Sequence, residues 1–446
     1  MSAPARDPRG VPVGTRSAEA LRHAEQGLWR MVSFFGDPLP DLEAAAQADP
    51  HWMLPPVMQA GFLLSLTEAP LRAQAQPLLE RALARREGAP LREQAHLDAV
   101  RLGWQGDWAG ACARWDEILL EHPRDLLALL WAHLFDFHRG DAWQLRQRVA
   151  RVLPQWDAAD PLYPYVLGMR AFGLEETHHH AEAEAVGRRA LEGGTPVAWA
   201  VHAVAHVMEM QGRVDEGAAW LARHQPQWVD NGLAVHLWWH LGLFRLERLD
   251  TEGALRLYDT RCSGETVQIA FQRLDATALL WRLQLLGVDG GDRWTALAQG
   301  WDRSPEAAGW SAFNDLHVML ALAGSGDVDA AARWLDQVEQ RTAAQALPQE
   351  RQLAAATGLA LLRGLLAYAR GEDEAAWRLL YPLRPALQRL GGSHAQRDVV
   401  DQTLLAAAAR GGLTSGGRAL VHERQLAKPV TPLTRHWAGR LGVRLD

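Results

Sequence analysis

The sequence contains very few cysteines and a single lysine. Cys112 and Cys262 are the only cysteines in 446 residues, which excludes a disulfide framework and a CxxC metal motif. Lys428 is the only lysine, so arginine carries nearly all of the positive charge, and we attribute this mainly to compositional bias. The formal net charge is -7 and long runs of Lys or Arg are absent, so no nucleic-acid partner is expected.

Strand patterns and long apolar runs are also scarce. Alternating β-branched runs do not occur, while Ala, Leu and Arg, which favour helix, dominate. No stretch of about 18 apolar residues predicts a membrane span. Residues 1–16 are rich in Pro, Gly, Ala and Arg and lack the apolar core of a signal peptide. We therefore expect a cytoplasmic helical protein with no membrane partner, in which residues 1–16 form a disordered tail.

The sequence does contain a repeated helix-turn-helix unit, whose clearest example runs from Arg92 to about Glu121. A period of about 34 residues is typical of tetratricopeptide repeats. Glycine in the turns allows positive φ, and a following aspartate can cap the next helix. The turns are Gly106-Asp107, Gly140-Asp141, His178-His179-His180, Gly212-Arg213, Leu249-Asp250, Gly290-Gly291, Gly326-Asp327, Gly371-Glu372 and Gly411-Gly412.

This spacing predicts an all-α, tetratricopeptide-repeat-like α-solenoid, a right-handed superhelix of helix-turn-helix pairs. We expect one continuous superhelix over residues 17–430, with residues 431–446 as a C-terminal capping tail. Two pairs are expected before Leu91, at about Ser17–Gln47 and His51–Arg86. Periodicity places Trp115, Trp220 and Trp334 in the core, and the His178-His179-His180 run is expected to be an exposed turn.

Histidines recur where the first helix of a unit should face inward. Counting back from Gly212 places His202 and His206 on that face, four residues apart and so one turn from each other. Counting back from Leu249 places His236 and His240 there, with the same spacing. Neutral imidazoles arranged in this way can share a divalent metal ion, and they can also act as acid-base catalysts.

Other polar and aromatic residues are expected to reach the same pocket. Carboxylates could orient the imidazole rings, Arg397 could clamp a carboxylate or phosphate, and Trp239 could stack on a substrate. The candidate metal ligands are His202, His206, His236 and His240; the candidate catalytic residues are His206, His240, His394 and Asp398; the candidate ligand-binding residues are Glu209, Trp239, Asp275, Asn314, His317 and Arg397.

At these residues the chain resembles the tetratricopeptide repeat protein 38 family, over about residues 16 to 442. The resemblance implies an all-helical repeat fold and supplies no activity to carry over. The strings that carry it are Ala200–Gly212, His236–His240, Asp275–Leu283, Asn314–His317 and Gly391–Asp398.

Three functions fit these observations. The first is a protein that binds a small molecule, with or without transforming it, in a His-rich pocket on its concave face, and a divalent metal bound by histidines is its candidate cofactor. The alternative is a tetratricopeptide-repeat scaffold that holds a peptide or protein partner in the groove. In the third, the polar cluster only fixes helix packing.

Overall fold

The computed structural model describes residues 5–445, and its regular structure is almost entirely helical. In this range it has 23 α-helices and one two-stranded hairpin. The chain forms two compact units, one of residues 1–204 and 227–233 and the other of residues 205–226 and 234–446. The all-α prediction is confirmed, whereas the expectation of one continuous superhelix stays a prediction.

The first unit begins with an antiparallel β hairpin and continues with helices. Its elements are β1 Ala5–Arg6, β2 Pro12–Val13, α1 Ala18–Ser33, α2 Leu39–Ala48, α3 Leu54–Ser65, α4 Ala69–Leu83, α5 Leu91–Gln105, α6 Trp108–Glu121, α7 Leu126–Arg139, α8 Ala142–Val152, α9 Tyr163–Glu175 and α10 His180–Ala190. Helix α11, Ala198–Met210, contributes its residues up to Val204 to this unit.

The second unit contains the rest of α11 and twelve further helices. They are α12 Val214–His224, α13 Ala234–Glu247, α14 Thr251–Arg261, α15 Ala270–Leu285, α16 Asp292–Gly300, α17 Ala312–Gly324, α18 Val328–Ala344, α19 Gln349–Ala369, α20 Asp373–Leu380, α21 His394–Arg410, α22 Thr414–Ala427 and α23 Pro432–Arg440. Short 3₁₀ segments occur at Leu153–Gln155, Gln225–Gln227, Gly264–Thr266 and Tyr381–Leu390.

The turns follow the register that the sequence predicts. Gly106, Gly140, Gly212, Gly326, Gly371 and Gly412 all have positive φ. At the equivalent places His178 and Leu249 adopt the same left-handed conformation, with φ of 64° and 59°. Asp107, Asp141, Asp250 and Asp327 each accept a hydrogen bond from a main-chain N–H in the first turn of the next helix. The helical hairpins are therefore tetratricopeptide-like.

The tryptophans and the early repeats are also as predicted. Trp115, Trp220 and Trp334 are buried in the core. The pairs α1–α2 and α3–α4 fall within the two segments expected before Leu91. His178 and His179 are exposed, as expected for the turn, whereas His180 is half-buried and begins α10.

The first helices of successive pairs pack on one another in the second unit. Helix α15 contacts α13 on one side and α17 on the other, and α17 contacts α19. Helix α21 packs back against α15, and α23 contacts α13, α21 and α22. The inward-facing residues of α13, α15 and α17 are therefore largely buried within this unit.

Residues 5–16 are ordered, so the expected disordered tail is wrong for this segment; Met1–Pro4 lie outside the described residues. The hairpin pairs Ala5 with Val13 and Arg6 with Pro12. Composition alone does not show this order, which depends on burial: every second side chain from Asp7 to Thr15 is buried. At the other end of the chain, α23 contacts α13, α21 and α22 and buries Trp437, and the capping role of residues 431–446 stays a prediction.

Helix α19 is long and apolar enough to cross a membrane by length and composition, with a mean hydropathy of 1.3 over its most apolar window. It contacts α17, α18 and α20 and buries Leu361, Leu362 and Leu365 among them. Core helices also combine this length and composition, so α19 alone is weak evidence for a membrane span.

Close helix packing at Gly217 can be tested by adding one methyl group. A Cβ at Gly217 of α12 would lie 2.2 Å from the ring of Phe244 on α13. We expect Gly217→Ala to lower the free energy of unfolding by about 1–3 kcal/mol, because the buried ring must move. Gly439→Ala is the control, since no atom of the described residues lies within 4 Å of its added Cβ. Chemical denaturation of both variants measures the difference, and equal stabilities would contradict this packing.

Candidate functional site: a buried histidine cluster beside a cavity

Three histidines of the second unit come together between α11 and α13. The ring centroids of His206 and His240 are 4.4 Å apart, and those of His236 and His240 are 4.8 Å apart. Each ring offers a nitrogen within 4.8 Å of the others. Their exposed fractions are 0, 4 and 0% for His206, His236 and His240. We call these three residues the histidine cluster.

Two carboxylates orient the rings of the histidine cluster. Asp275 of α15 accepts a hydrogen bond from Nδ1 of His236, with a distance of 2.8 Å to Oδ2. Oε2 of Glu209 on α11 lies 3.3 Å from Nδ1 of His240. Gln396 of α21 donates to the other oxygen of Asp275 at 3.4 Å. Helices α11, α13, α15 and α21 therefore all contribute to fixing these imidazoles.

Burial and neighbouring positive charges keep two of the imidazoles neutral. Burial lowers the pKa of His206 well below its usual value, and the charges of His240, His236, His394 and Arg397 lower it further. The pKa of His240 is lowered in the same way by burial and by the charges of His236, Arg282 and Lys428. Both rings are therefore neutral at neutral pH, which is the form that binds metals.

Four residues of the Gly391–Asp398 string have specific structural roles. Gly392 has a φ of 76°, and a Cβ there would lie 2.5 Å from the ring of Phe313. Ser393 caps α21 and forms a capping box with Gln396. The main-chain oxygen of Ala395 accepts a hydrogen bond from the buried Arg282 at 2.7 Å. This capped turn holds Gln396 against Asp275 and directs the next residues toward a cavity.

A cavity of about 400 Å³ lies beside the histidine cluster. Its wall includes Glu209, which also faces His240, and the charges of His394 and Arg397 act on His206. Acidic and basic side chains line the cavity in equal numbers: Glu209, Asp398, Asp401 and Glu423 face Arg384, Arg397, Arg424 and Lys428. A volume of this size suits a small molecule rather than a folded partner.

Ion pairs fix most of the charged wall. Arg424 pairs with Asp398, and Arg384 pairs with Asp401 at 2.7 Å and with Glu423. Burial alone would raise the pKa of Asp398, but the charge and hydrogen bond of Arg424 outweigh it and hold this pKa below its usual value. Asp398 is therefore a permanent carboxylate at neutral pH.

Sequence reasoning missed Lys428 as a member of this site. Its ammonium lies 3.4 Å from Glu209 and 2.5 Å from Glu247, and these charges raise its pKa although burial alone would lower it. Glu209 thus lies between Lys428 and His240. The available signal was composition, since the one lysine of the chain lies at this wall.

The remaining candidate residues lie in different surroundings. His202 is four residues before His206 on α11 and belongs to the first unit, where its ring stacks on Phe172 at 5.3 Å. Trp239 is fully buried, stacks on His236 at 5.1 Å and lies under the guanidinium of Arg282. Stacking of Trp239 on a substrate and metal binding by His202 stay predictions.

Asn314 and His317 lie on α17. Asn314 is half-buried, and its main-chain N–H donates to the capping hydroxyl of Ser311. His317 is fully buried and donates from Nδ1 to the main-chain oxygen of Phe313 at 2.7 Å. Burial lowers the pKa of His317 to about 4, and the nearby charge of Arg282 also lowers it. Their expected role in ligand binding stays a prediction.

No protein-family model matches the chain. The crystal structure of the APC/C hetero-tetramer Cut9-Hcn1 is 11% identical, covers 98% of this chain and 78% of that one, and gives a TM-score of 0.42. The human IFIT1 dimer with m7Gppp-AAAA is 12% identical, with coverages of 96% and 90% and a TM-score of 0.40. A monomeric IFIT1 mutant with Gppp-AAAA is 12% identical in sequence, covers 96% of this chain and 91% of that one, and gives a TM-score of 0.41. These likenesses are too weak to carry an argument about function.

Fold and site together define the class of this protein. It is an all-α protein of tetratricopeptide-like repeats, and its second unit contains a buried histidine cluster beside a charged cavity.

Asp315, which lies between Asn314 and His317, gives a test of the buried electrostatics. Burial raises its pKa to about 8, although the N–H of Gly309 and the charge of Arg351 lower it. A carboxyl with a raised folded pKa stabilises the fold fully below its unfolded pKa of about 4 and loses this contribution as the pH rises toward 8.

We therefore expect Asp315→Asn to flatten the pH dependence of stability. Asparagine keeps an oxygen for Gly309 and never ionises, so the variant should match the wild type near about pH 4 and unfold a few degrees higher near about pH 9. Thermal unfolding followed by circular dichroism across this pH range measures the effect. Parallel curves for the two proteins would contradict the raised pKa.

Proposed function

We propose that the second unit binds a divalent transition metal through His206, His236 and His240, and that the adjacent cavity takes a small polar molecule next to it. The observation that carries this proposal is that two of the three clustered imidazoles turn Nδ1 toward a carboxylate.

The orientation of these two rings determines what they offer to the space between them. A carboxylate only accepts hydrogen bonds, so Nδ1 of His236 and of His240 carries the proton when the ring is neutral. The lone pair is then on Nε2. One nitrogen of each ring of the histidine cluster lies within 4.8 Å of the others, and nitrogen lone pairs held that close repel each other and favour a cation between them. The same carboxylate–histidine arrangement orients imidazoles at known metal sites.

The cavity supports a small-molecule role for this centre. Three protein ligands leave a coordination position open, and a bound divalent metal supplies Lewis acidity and an activated water there. Arg397 offers a guanidinium to an anionic group of the ligand, and His394, which lies 3.3 Å from Arg397, offers an imidazole for proton transfer. Asp398, a fixed carboxylate, orients groups that donate hydrogen bonds.

We propose membership of the tetratricopeptide repeat protein 38 family, because the strings that resemble it contain the histidine cluster, Asp275 and the Gly391–Asp398 turn.

The alternative function is a scaffold for a peptide or protein partner. A peptide-binding groove on the inner face of the second unit is disfavoured, since those side chains are buried. Recovery of one stoichiometric protein partner would favour the scaffold instead.

Metal content tests the proposal directly. We expect the untagged full-length protein, loaded with Zn²⁺ or Co²⁺ and desalted, to retain about one metal per chain by elemental analysis. Co²⁺ should also give the visible absorption of a site with nitrogen ligands. His206→Ala and His240→Ala should each lose both signals and keep the helical circular dichroism, because each removes one of three ligands.

Three control variants separate this site from other histidines. His317→Ala removes an equally buried imidazole of the same unit, and His422→Ala removes an exposed one. A double alanine variant of His178 and His179 removes an exposed histidine pair that could bind metal adventitiously. All three should retain the metal. Metal retained by His206→Ala, or absent from the wild type after loading, would contradict the proposal.

The role of Asp275 gives a second measurement. Asp275→Asn keeps an oxygen for His236 and removes the negative charge, so we expect metal affinity to fall about 10- to 100-fold while the fold is kept. Competition with a chromogenic chelator measures the dissociation constant. Asp315→Asn, the same change at a buried carboxyl that contacts Gly309 instead, is the control and should bind metal as the wild type does. Equal affinities for both variants would argue for a structural role of Asp275.

A further inference from the structure

The N-terminal segment of the first unit lies on its helices in the manner of a bound peptide. Its side chains alternate between buried and exposed positions from Asp7 to Thr15, first through the hairpin turn at residues 7–10 and then along the extended stretch from Val11. The buried ones are Asp7, Arg9, Val11, Val13 and Thr15, which are 8, 7, 3, 4 and 2% exposed. This period-two burial continues beyond the two short strands of the hairpin.

Two adjacent side chains of α5 recognise the main chain of this segment. Arg92 donates to the carbonyl oxygen of Pro12 at 3.2 Å. Glu93 accepts from the N–H of Gly14 at 2.7 Å and from the indole of Trp52 at 2.9 Å. Main-chain contacts of this kind bind any extended peptide, and pockets for alternate side chains then provide specificity.

The alternate side chains enter chemically distinct places. Arg9 forms two hydrogen bonds with Glu25 of α1, both at 2.7 Å. The hydroxyl of Thr15 donates to Asp49, before α3, at 2.6 Å. Gly14 lies so close to α5 that a Cβ there would be 2.7 Å from Glu93. We call the surface formed by Glu25, Asp49, Trp52, Arg92 and Glu93 the α5 groove.

The α5 groove is polar, and contacts with α7 that do not involve the segment hold its side chains in place. Asp125, at the start of α7, accepts hydrogen bonds from Arg92 at 2.6 Å and pairs with His96 at 3.0 Å. The segment is likewise organised by itself, because Asp7 accepts from the N–H groups of Arg9 and Val11 at 2.9 and 2.8 Å. A receptor surface and a ligand that each hold their shape alone are suited to reversible binding.

We propose that the α5 groove is a docking site for a peptide that carries an arginine in a β turn and, after it, an extended stretch with small β-branched residues at alternate positions, and that residues 5–16 occupy it in cis. The charge match is local, since the arginine of the peptide meets Glu25. This site belongs to the first unit and does not depend on the metal proposal. A partner segment with the pattern Arg-x-Val-x-Val-x-Thr competes with the chain's own segment.

A labelled peptide of residues 5–16, ARDPRGVPVGTR, tests the docking site on the full-length protein. The double variant Val11→Asp, Val13→Asp should release the cis segment, because two buried valines become charged. We expect this variant to bind the peptide one to one with micromolar affinity by fluorescence anisotropy. The wild type should bind it at least about tenfold more weakly, because a tethered segment competes at an effective concentration in the millimolar range.

Further variants assign the binding to the groove. In the released background, Glu93→Ala should lose binding by about tenfold or more, and the peptide with Arg9→Ala should bind as weakly, since each removes one of the contacts above. Glu121→Ala, a change at an exposed carboxylate of the same unit, should leave binding unchanged. Equal binding to the wild type and the released variant would contradict occupation in cis.

A second way of releasing the segment guards against loss of folding. Gly14→Ala adds no charge and displaces the segment through contact of its Cβ with Glu93 and Pro90. We expect this variant to keep the circular dichroism of the wild type and to bind the peptide with intermediate affinity. If both releasing variants unfold, or if both fold and neither binds the peptide, the segment is a fixed part of the first unit and the proposal is wrong.

Discussion

The buried guanidinium of Arg282 is the constraint on which the second unit depends. It is 1% exposed and donates to the main-chain oxygens of Ala278 on its own helix and Ala395 on α21. It also lies over the ring of Trp239 on α13. Burying a cation costs free energy unless acceptors lie around it, so these contacts favour fixed relative positions of α13, α15 and α21. Its charge in turn lowers the pKa of His240 and of His317.

The sequence predicts the repeats because their geometry is local. A residue with positive φ and a capping aspartate are needed wherever two helices of a pair meet, and glycine and aspartate supply them. The exceptions, His178 and Leu249, are still found because spacing and helix patterns fix the turn from both sides. The histidine pairs are predictable for the same reason, since a four-residue interval on a helix fixes a shared face.

The rest could not be predicted, because it depends on contacts between residues far apart in sequence. Lys428 reaches Glu209 across 219 positions, and Gln396 reaches Asp275 across 121. The N-terminal segment has the Gly and Pro content of a disordered tail, although its side chains alternate between buried and exposed positions. Its main-chain groups are satisfied by helix side chains 79 and 80 residues away, which no local pattern indicates.

The charges around the histidine cluster limit what can occupy it. Arg282 and Lys428 both act on His240, so a bare cation meets repulsion there unless the carboxylates compensate. Asp275 faces His236, and Glu209 faces both His240 and Lys428. Lys428 is also paired with Glu247, so it offsets only part of the negative potential that Glu209 produces at His240. A divalent ion in the cluster would therefore be bound by neutral nitrogens. The carboxylates of Asp275 and Glu209, on the far side of the rings, would balance only part of its charge and leave a residual positive charge. Such an ion attracts an anionic group, and the cavity beside it is where that group would lie.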